Sequence, residues 1–463
     1  GAAGVESWYS DALGLRDVLL RAQARSRFAL FGVSPSSRAV LGEDGWIFLA
    51  ARGILDAERG ALPLTTERLA LWQRTLESRR DVCERAGAEF LFVLAPEKSS
   101  IYPEKLPRGY ARRGPRPLDQ LVAWLAAHSS VRVLDLRDVE LAEKARDTAD
   151  DPAYFPYGPH WTDRGLYAAY VRVLDALRGR FPALEPVPAS ALHWEFAPNE
   201  GDSWAARLRL DGVLRQRPIA IREIEGGYDC ELGRSDRQQT IVWARGPDPR
   251  APRLVFFHDS FGDRMRKLLV PHFSDSYLCW RDGFDPAAIV RERPDVVVQL
   301  YAERLLWNEL PVPVRAPGDR ELERAFDAAC ESVFVLDPRA EPPRVTAVGK
   351  TKLAPGADGL VVEQLAGTDM LELPDFPFAP GRRYVLRVDV ESAAASWIDV
   401  GYRTARDPRY RRGQTFSGAT TAGRAVVFIE MNEGGVLGPL RVRLGRGPGR
   451  FVVRALEVRA LDG

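Results

Sequence analysis

Arg253-Leu254-Val255-Phe256-Phe257-His258-Asp259-Ser260-Phe261 is the stretch whose reading decides the fold. Residues 253–258 form an apolar strand, and Asp259-Ser260 falls at its C-terminal end, ahead of an expected helix over 262–270. Strands that alternate with helices build a mostly parallel sheet, and ligands sit at the C-terminal ends of such strands. Ser260 therefore has two readings. It is a nucleophile whose oxyanion meets the first N–H groups of the following helix, or it simply caps that helix.

The same alternation runs outward from this stretch. A helix is expected near 66–86, with Leu69, Trp72, Leu76 and Cys83 on one face. Phe90-Leu91-Phe92-Val93-Leu94 is a continuous apolar run, ended by Ala95-Pro96, that suits a parallel strand covered on both sides. A helix near 117–128, a strand at 131–134 and a helix at 162–179 follow. The last carries Leu166, Tyr170, Val173 and Leu177 on one stripe, with Thr162 as its N-cap. Beyond Ser260 come a strand at 276–280, a helix at 285–292 and a strand at 295–301. Together these predict a three-layer α/β domain with a mostly parallel sheet. Residues 1–60 read as an irregular lead-in with a short helix from Asp11 to Arg25 and a turn feeding a strand within Leu41 to Leu49. Residues 185–250 show only scattered strands and turns.

The pattern changes after residue 336. Asp337-Pro338-Arg339-Ala340-Glu341-Pro342-Pro343 reads as a linker. Period-2 stretches then dominate, as in Tyr384-Val385-Leu386-Arg387-Val388-Asp389-Val390, in Leu440 to Leu444 and in Leu456 to Leu461. Glycine-rich turns separate them, which predicts an all-β sandwich over 337–463 after an α/β domain over 1–336.

Composition narrows the function classes. The chain has 463 residues, 65 Lys+Arg against 64 Asp+Glu and a net charge of +1. Bulk charge therefore captures no nucleic acid or other acidic polymer. Cys83, Cys230, Cys279 and Cys330 contain no CxxC pair, so no zinc site is expected, and no metal or organic cofactor is implied. Four cysteines allow two disulfides in three connectivities, and Cys279 also reads as a buried free thiol. No stretch of 18 apolar residues exists to span a membrane. The start at Gly1 without Met is compatible with a signal peptide or anchor removed before this numbering.

A serine hydroxyl needs a neighbouring base to become a nucleophile. Of five histidines, His160 in Pro159-His160-Trp161-Thr162 stands just ahead of a helix that would fix its position. His258 is two residues from Ser260 and shares its strand face, so it is expected to line the site. His128, His193 and His272 read as cap or surface residues. A second serine motif, Gly201-Asp202-Ser203-Trp204, lacks a preceding apolar strand and ranks below Ser260.

Four blocks in order resemble the SGNH-hydrolase-like alginate O-acetylation proteins, the AlgX/AlgJ group, over roughly residues 40–310. They are Leu94-Ala95-Pro96-Glu97-Lys98-Ser99-Ser100-Ile101-Tyr102-Pro103-Glu104-Lys105-Leu106-Pro107, Tyr154 to Thr162, His258-Asp259-Ser260-Phe261, and Val297 to Leu305 with Glu303-Arg304. The resemblance implies an SGNH-hydrolase-like fold, Ser260 as nucleophile and His160 as base. Lys98, Tyr102, His258, Asp259, Glu303 and Arg304 become expected substrate contacts, although Glu303 and Arg304 also read as a salt bridge at the strand end. The family's triad aspartate would stand two residues before His160, where this chain has Gly158. Three readings follow: another acid (Asp163, Asp151 or Asp202), a Ser–His dyad, or a degenerate site that only binds glycan.

The sandwich resembles a carbohydrate-binding-module-like domain, with Trp397, Tyr402, Tyr410 and Phe416 either a sugar platform or core. The expected function is O-acetyl transfer to an exopolysaccharide in the periplasm or elsewhere outside the cytoplasm, with a membrane-bound acyl-donor partner protein. An acetyl esterase and a polysaccharide-binding scaffold are the alternatives.

Overall fold

The structure, a computed structural model, describes residues 16–197, 203–211, 213–216, 218–224, 229–232, 241–280, 283–308, 311, 313–314, 320–339, 344–379, 382–394, 396–404, 408, 410, 415–431, 436–445 and 447–461. Two compact units divide the chain: residues 1–73, 87–283 and 294–308, and residues 74–86, 284–293 and 309–463.

The first unit is built on one sheet. Its strands, in chain order, are β1 (Glu89–Ala95), β2 (Val133–Asp135), β3 (Asp229–Leu232), β4 (Ile241–Arg245), β5 (Leu254–His258), β6 (Asp275–Trp280) and β7 (Val296–Ala302). They lie side by side as β2-β1-β7-β5-β6-β4-β3. The first five are parallel, and β4 and β3 add antiparallel strands at one edge. Every residue of β1, β5 and β7 is buried, as continuous apolar runs require when both faces are covered. Alternate residues serve opposite faces. Leu91, Val93, Phe256, Val298 and Leu300 pack with Leu166, Tyr170, Val173 and Leu177 of helix Asp163–Leu177. On the other side Trp72, in helix Thr66–Arg85, meets the rings of Phe92 and Tyr301. Helices therefore lie on both sides of a mostly parallel sheet.

The edge strands fall in the stretch the sequence left without a clear pattern. In β4 only Val242 and Ala244 are buried, and Trp243 and Arg245 are exposed. That alternation marks a strand covered on one face only. Leu192–Phe196 and Ile219–Ile224 form a separate antiparallel ribbon.

Three local expectations need correction. No helix follows Ser260 directly: residues 260–265 are turns, and the only α-helical segment is Arg266–Leu269. Thr162 does not cap its helix with its side chain; its hydroxyl donates to the carbonyls of Pro152 and Ala153. In the lead-in, the described helix is Arg16–Phe31, and Ala39–Leu41 pairs with Ile47–Leu49 as a hairpin.

In the second unit two antiparallel sheets share one core. One carries Tyr384–Ser392, Gly423–Met431 and Gly449–Ala460, and the other Ser396–Thr404, Thr415–Thr420 and Val436–Arg443. Leu386, Val388 and Val453 face Ile398, Val400 and Val442 across the core, which makes this unit a β-sandwich. Glu331–Val335 pairs with the last strand, so the sandwich takes in residues upstream of 337. Trp397, Tyr402 and Phe416 are buried and offer no sugar platform. Tyr410 is half-buried beneath Arg441, 3.9 Å from the ring centroid. Cys83 and Cys279 are buried and Cys330 is exposed.

Candidate active site

The pairing register sets which loops meet. Ala302 at the end of β7 lies beside Ala95 at the end of β1, and Leu300 lies beside His258 at the end of β5. The segments that follow these three strands carry Glu97, Arg304 and Ser260. They emerge side by side at the C-terminal edge of the sheet, where α/β proteins place their ligands.

Ser260 sits in a braced turn. The Asp259 carboxylate accepts the Phe261 N–H at 2.8 Å and the Ala302 N–H at 2.6 Å, so it ties the turn to the end of β7. Gly262 closes the turn against His258 and Phe256; a Cβ there would stand 2.4 Å from the His258 Cβ. No other residue fits without moving the strand end. His258 is fully buried, donates its Nδ1–H to the Asp259 carbonyl at 2.8 Å, and burial pulls its pKa down to about 3. It is a neutral packing group, not a second base.

His160 reaches Ser260 from a turn that connects two bridged residues, Tyr154 and Trp161. Its Nε2 lies 2.8 Å from Ser260 Oγ. The Phe261 ring meets the imidazole edge-on at 4.7 Å, and Phe155 N–H donates to the His160 carbonyl at 3.0 Å. The Lys98 ammonium lies under this turn. It donates to the carbonyls of Phe155, Pro156 and Gly158 at 2.9, 3.0 and 2.6 Å, and to that of Ile47 at 2.6 Å. One buried cation thus holds the turn that carries the base and ties it to the Ile47–Leu49 strand.

Arg304 completes the group. Its guanidinium pairs with Glu97 at 3.1 Å, lies 5.2 Å from the Phe261 ring centroid, and places Nη2 3.5 Å from Ser260 Oγ. Behind it is a nest of buried carboxyls. Glu303 accepts the Glu97 N–H at 2.9 Å and the Ser100 hydroxyl at 2.6 Å, and Glu58 accepts the Ser99 hydroxyl. Burial pushes the Glu97 carboxyl up to about 7, reinforced by Glu303 and Asp259 and opposed by Arg304. Burial likewise raises Glu58 and Glu303.

Ser260 and His160 open into a cavity of about 390 Å³ that Phe155, Trp161, Trp280 and Arg264 help line. Aromatic, aliphatic and charged side chains share the walls, and a hydroxyl–imidazole pair lies among them. That arrangement can accept an acyl group from one molecule and pass it to another.

The structure thus brings Ser260, His160 and Arg304 together. Lys98, Tyr102, His258, Asp259 and Glu303, expected as substrate contacts, are all buried and committed to internal partners; Tyr102 donates its hydroxyl to Asp147 at 2.6 Å. They build the site rather than line it. Two of the three candidate acids are also engaged elsewhere. Asp163 accepts from Arg264 at 2.6 Å and from the Ile221 N–H at 2.8 Å, and Asp151 pairs with Arg164 at 3.1 Å. Asp202 lies outside the described residues. The sequence reading missed Glu97 as the anchor of Arg304, and Arg264 and Trp280 as cavity walls. For Glu97 the signal was present: Ala95-Pro96-Glu97 and Ala302-Glu303-Arg304 each follow a fully apolar strand, and neighbouring parallel strands bring such ends together.

Residues 39–210 match the family model described as SGNH hydrolase-like domain, acetyltransferase AlgX. The matched stretch contains Lys98 and His160 and ends before Ser260. The chain therefore carries an SGNH-hydrolase-like domain, followed by a β-sandwich. No curated protein matches the chain. Similar solved structures include Pseudomonas aeruginosa AlgX, 13% identical with a TM-score of 0.43 over 92% of this chain and 94% of that one. The O-acetyltransferase domain of Pseudomonas putida AlgJ is 20% identical, with a TM-score of 0.39 over 58% of this chain and 91% of that one. Bacillus cereus PatB1 with a sulfonyl adduct is 12% identical, with a TM-score of 0.42 over 57% of this chain and 96% of that one.

Proposed function

We propose that this chain, which carries an SGNH-hydrolase-like domain, transfers acetyl groups to hydroxyls of an exopolysaccharide through a covalent acyl-Ser260. The observation that carries the proposal is the 2.8 Å contact between His160 Nε2 and Ser260 Oγ at the mouth of a cavity. His160 takes the Ser260 proton as Oγ attacks the acyl carbonyl of the donor. The imidazolium returns that proton to the departing donor group, leaving the acyl-serine. In the second half His160 takes the proton of a sugar hydroxyl, the sugar oxygen attacks the ester, and Ser260 leaves reprotonated. If water replaces the sugar, the same steps make an acetyl esterase. We place the reaction outside the cytoplasm, with the donor presented by a membrane-bound partner, as the family resemblance implies.

For the acid behind His160 we propose Asp202. Asp163 and Asp151 are held by Arg264 and Arg164. Trp204, two residues after Asp202 in the sequence, donates its N–H to the Tyr157 carbonyl at 2.9 Å, which ties Trp204 to the turn bearing His160. An acid at this point would set the imidazole tautomer and stabilise the imidazolium.

The test is acetyl transfer from a chromogenic acetyl ester to oligosaccharide acceptors. Ser260→Ala and His160→Ala should each abolish ester turnover, and Asp202→Asn should lower kcat by about 10²–10⁴ while leaving KM nearly unchanged. Turnover that survives Ser260→Ala would contradict the acyl-serine. Wild-type rates in Asp202→Asn would remove Asp202 and leave a Ser–His dyad.

A further inference from the structure

We infer that Arg304 is a catalytic residue: its guanidinium stabilises the negative charge that develops at Ser260 during acyl transfer, and it directs the Ser260 proton towards His160. The inference rests on the acyl-Ser260 reading above.

The hydrogen-bond inventory carries the directional half. A guanidinium has five N–H donors and no acceptor, so in the 3.5 Å contact between Arg304 Nη2 and Ser260 Oγ the serine oxygen must accept. The serine has one proton to give. With one lone pair turned to Arg304, the serine has its proton to give along the 2.8 Å contact to His160 Nε2. This is the direction in which a general base must take it. Taking that proton requires the neutral tautomer of His160 with a bare Nε2.

The electrostatic half follows from what the serine turn lacks. Acyl transfer at a serine usually draws on backbone N–H groups at the start of a helix. Here the chain after Ser260 runs in turns until Arg266. The Phe261 N–H is taken by the Asp259 carboxylate at 2.8 Å, and the Gly262 N–H by the Asp259 carbonyl at 3.2 Å. Two donors next to the nucleophile are therefore spent inside the turn. The nearest fixed positive charge is Arg304. Its side chain is 13% exposed, is clamped by Glu97 at 3.1 Å and lies against the face of Phe261. A preorganised, largely buried cation acts on developing charge without reorganising at the moment of reaction.

The test separates chemistry from binding. Arg304→Ala and Arg304→Gln are compared with wild type in stopped-flow acylation by a chromogenic acetyl ester, with saturation curves and a pH profile, and with thermal melts as a folding check. The expected result is a loss of about 10²-fold in the acylation rate with KM changed by less than about 3-fold. Arg304→Lys should recover part of that loss. Arg304→Gln keeps most of the side-chain volume, so it carries the test if Arg304→Ala does not fold. Acylation at the wild-type rate in either charge-removing variant, or a loss confined to KM, would overturn the inference. Absence of acylation in the wild type would instead overturn the acyl-serine reading on which it stands.

Discussion

At the scale of single residues, the site is a set of charges whose states are fixed by what surrounds them. His258 and His160 are near neighbours of the same serine, yet burial holds His258 neutral while His160 keeps an edge on the cavity. Glu97 shows the same control in a carboxyl. Its pKa is raised from 4.5 to about 7, first by burial. The folded chain therefore keeps a proton that the unfolded chain has already lost. Between those two values the native state binds more protons, so stability falls as pH rises through that window. Glu58 and Glu303 are shifted in the same direction, so the effect of Glu97 is read as a difference. Glu97→Gln should flatten the fall in unfolding free energy between about pH 5 and about pH 7.5, measured by denaturant titration. A variant that tracks wild type at both pH values would show that Glu97 titrates as an exposed carboxyl.

At the scale of elements, three strand ends and two turns converge, and buried ions fasten them. Lys98 links the turn that carries His160 to the Ile47–Leu49 strand through four carbonyls. Lys98→Met keeps the stem of the side chain and removes the buried donor that those carbonyls share. The expected cost is about 3 kcal/mol in unfolding free energy, with slower Ser260 acylation because the base is no longer held. Unchanged stability and rate would mean that the turn holds itself. The strands of this sheet were legible in the sequence because burial on both faces leaves a continuous apolar run. The readings 90–94 and 295–301 correspond to Glu89–Ala95 and Val296–Ala302. The segment after Ser260 was not legible. Its apolar residues, Phe261, Met265 and Leu268, repeat at near-helical spacing, but the bracing by Asp259 and the close packing of Gly262 bend it into turns. Lys98 was misread for a related reason: a lysine looks like a solvent or ligand contact until the carbonyls around it come from elsewhere in the chain. Ser260 and His160 were legible as residue types at strand and helix ends. Their contact, and the role of Glu97, depend on strand order, which sequence periodicity does not encode.

At the scale of the whole molecule, one unit carries the candidate site and the other is a β-sandwich whose large aromatics are mostly core. The near-neutral net charge of +1 leaves recognition of a polymer to local groups such as Arg264 and Trp280 at the cavity wall. On the proposed acyl-Ser260 reading, whether sugar or water receives the acyl group depends on what enters that cavity second, and both fates pass through the same covalent state. The most direct test of the account is therefore to trap that state. The full chain is mixed with an acetyl ester in the absence of sugar, quenched in acid, and mapped by peptide mass spectrometry. The account predicts one acetyl group on Ser260 in the wild type, none at that position in Ser260→Ala, and its loss when an acceptor polysaccharide is added before the quench. Ester turnover with no acetyl on Ser260, or with the acetyl on another residue, would contradict it.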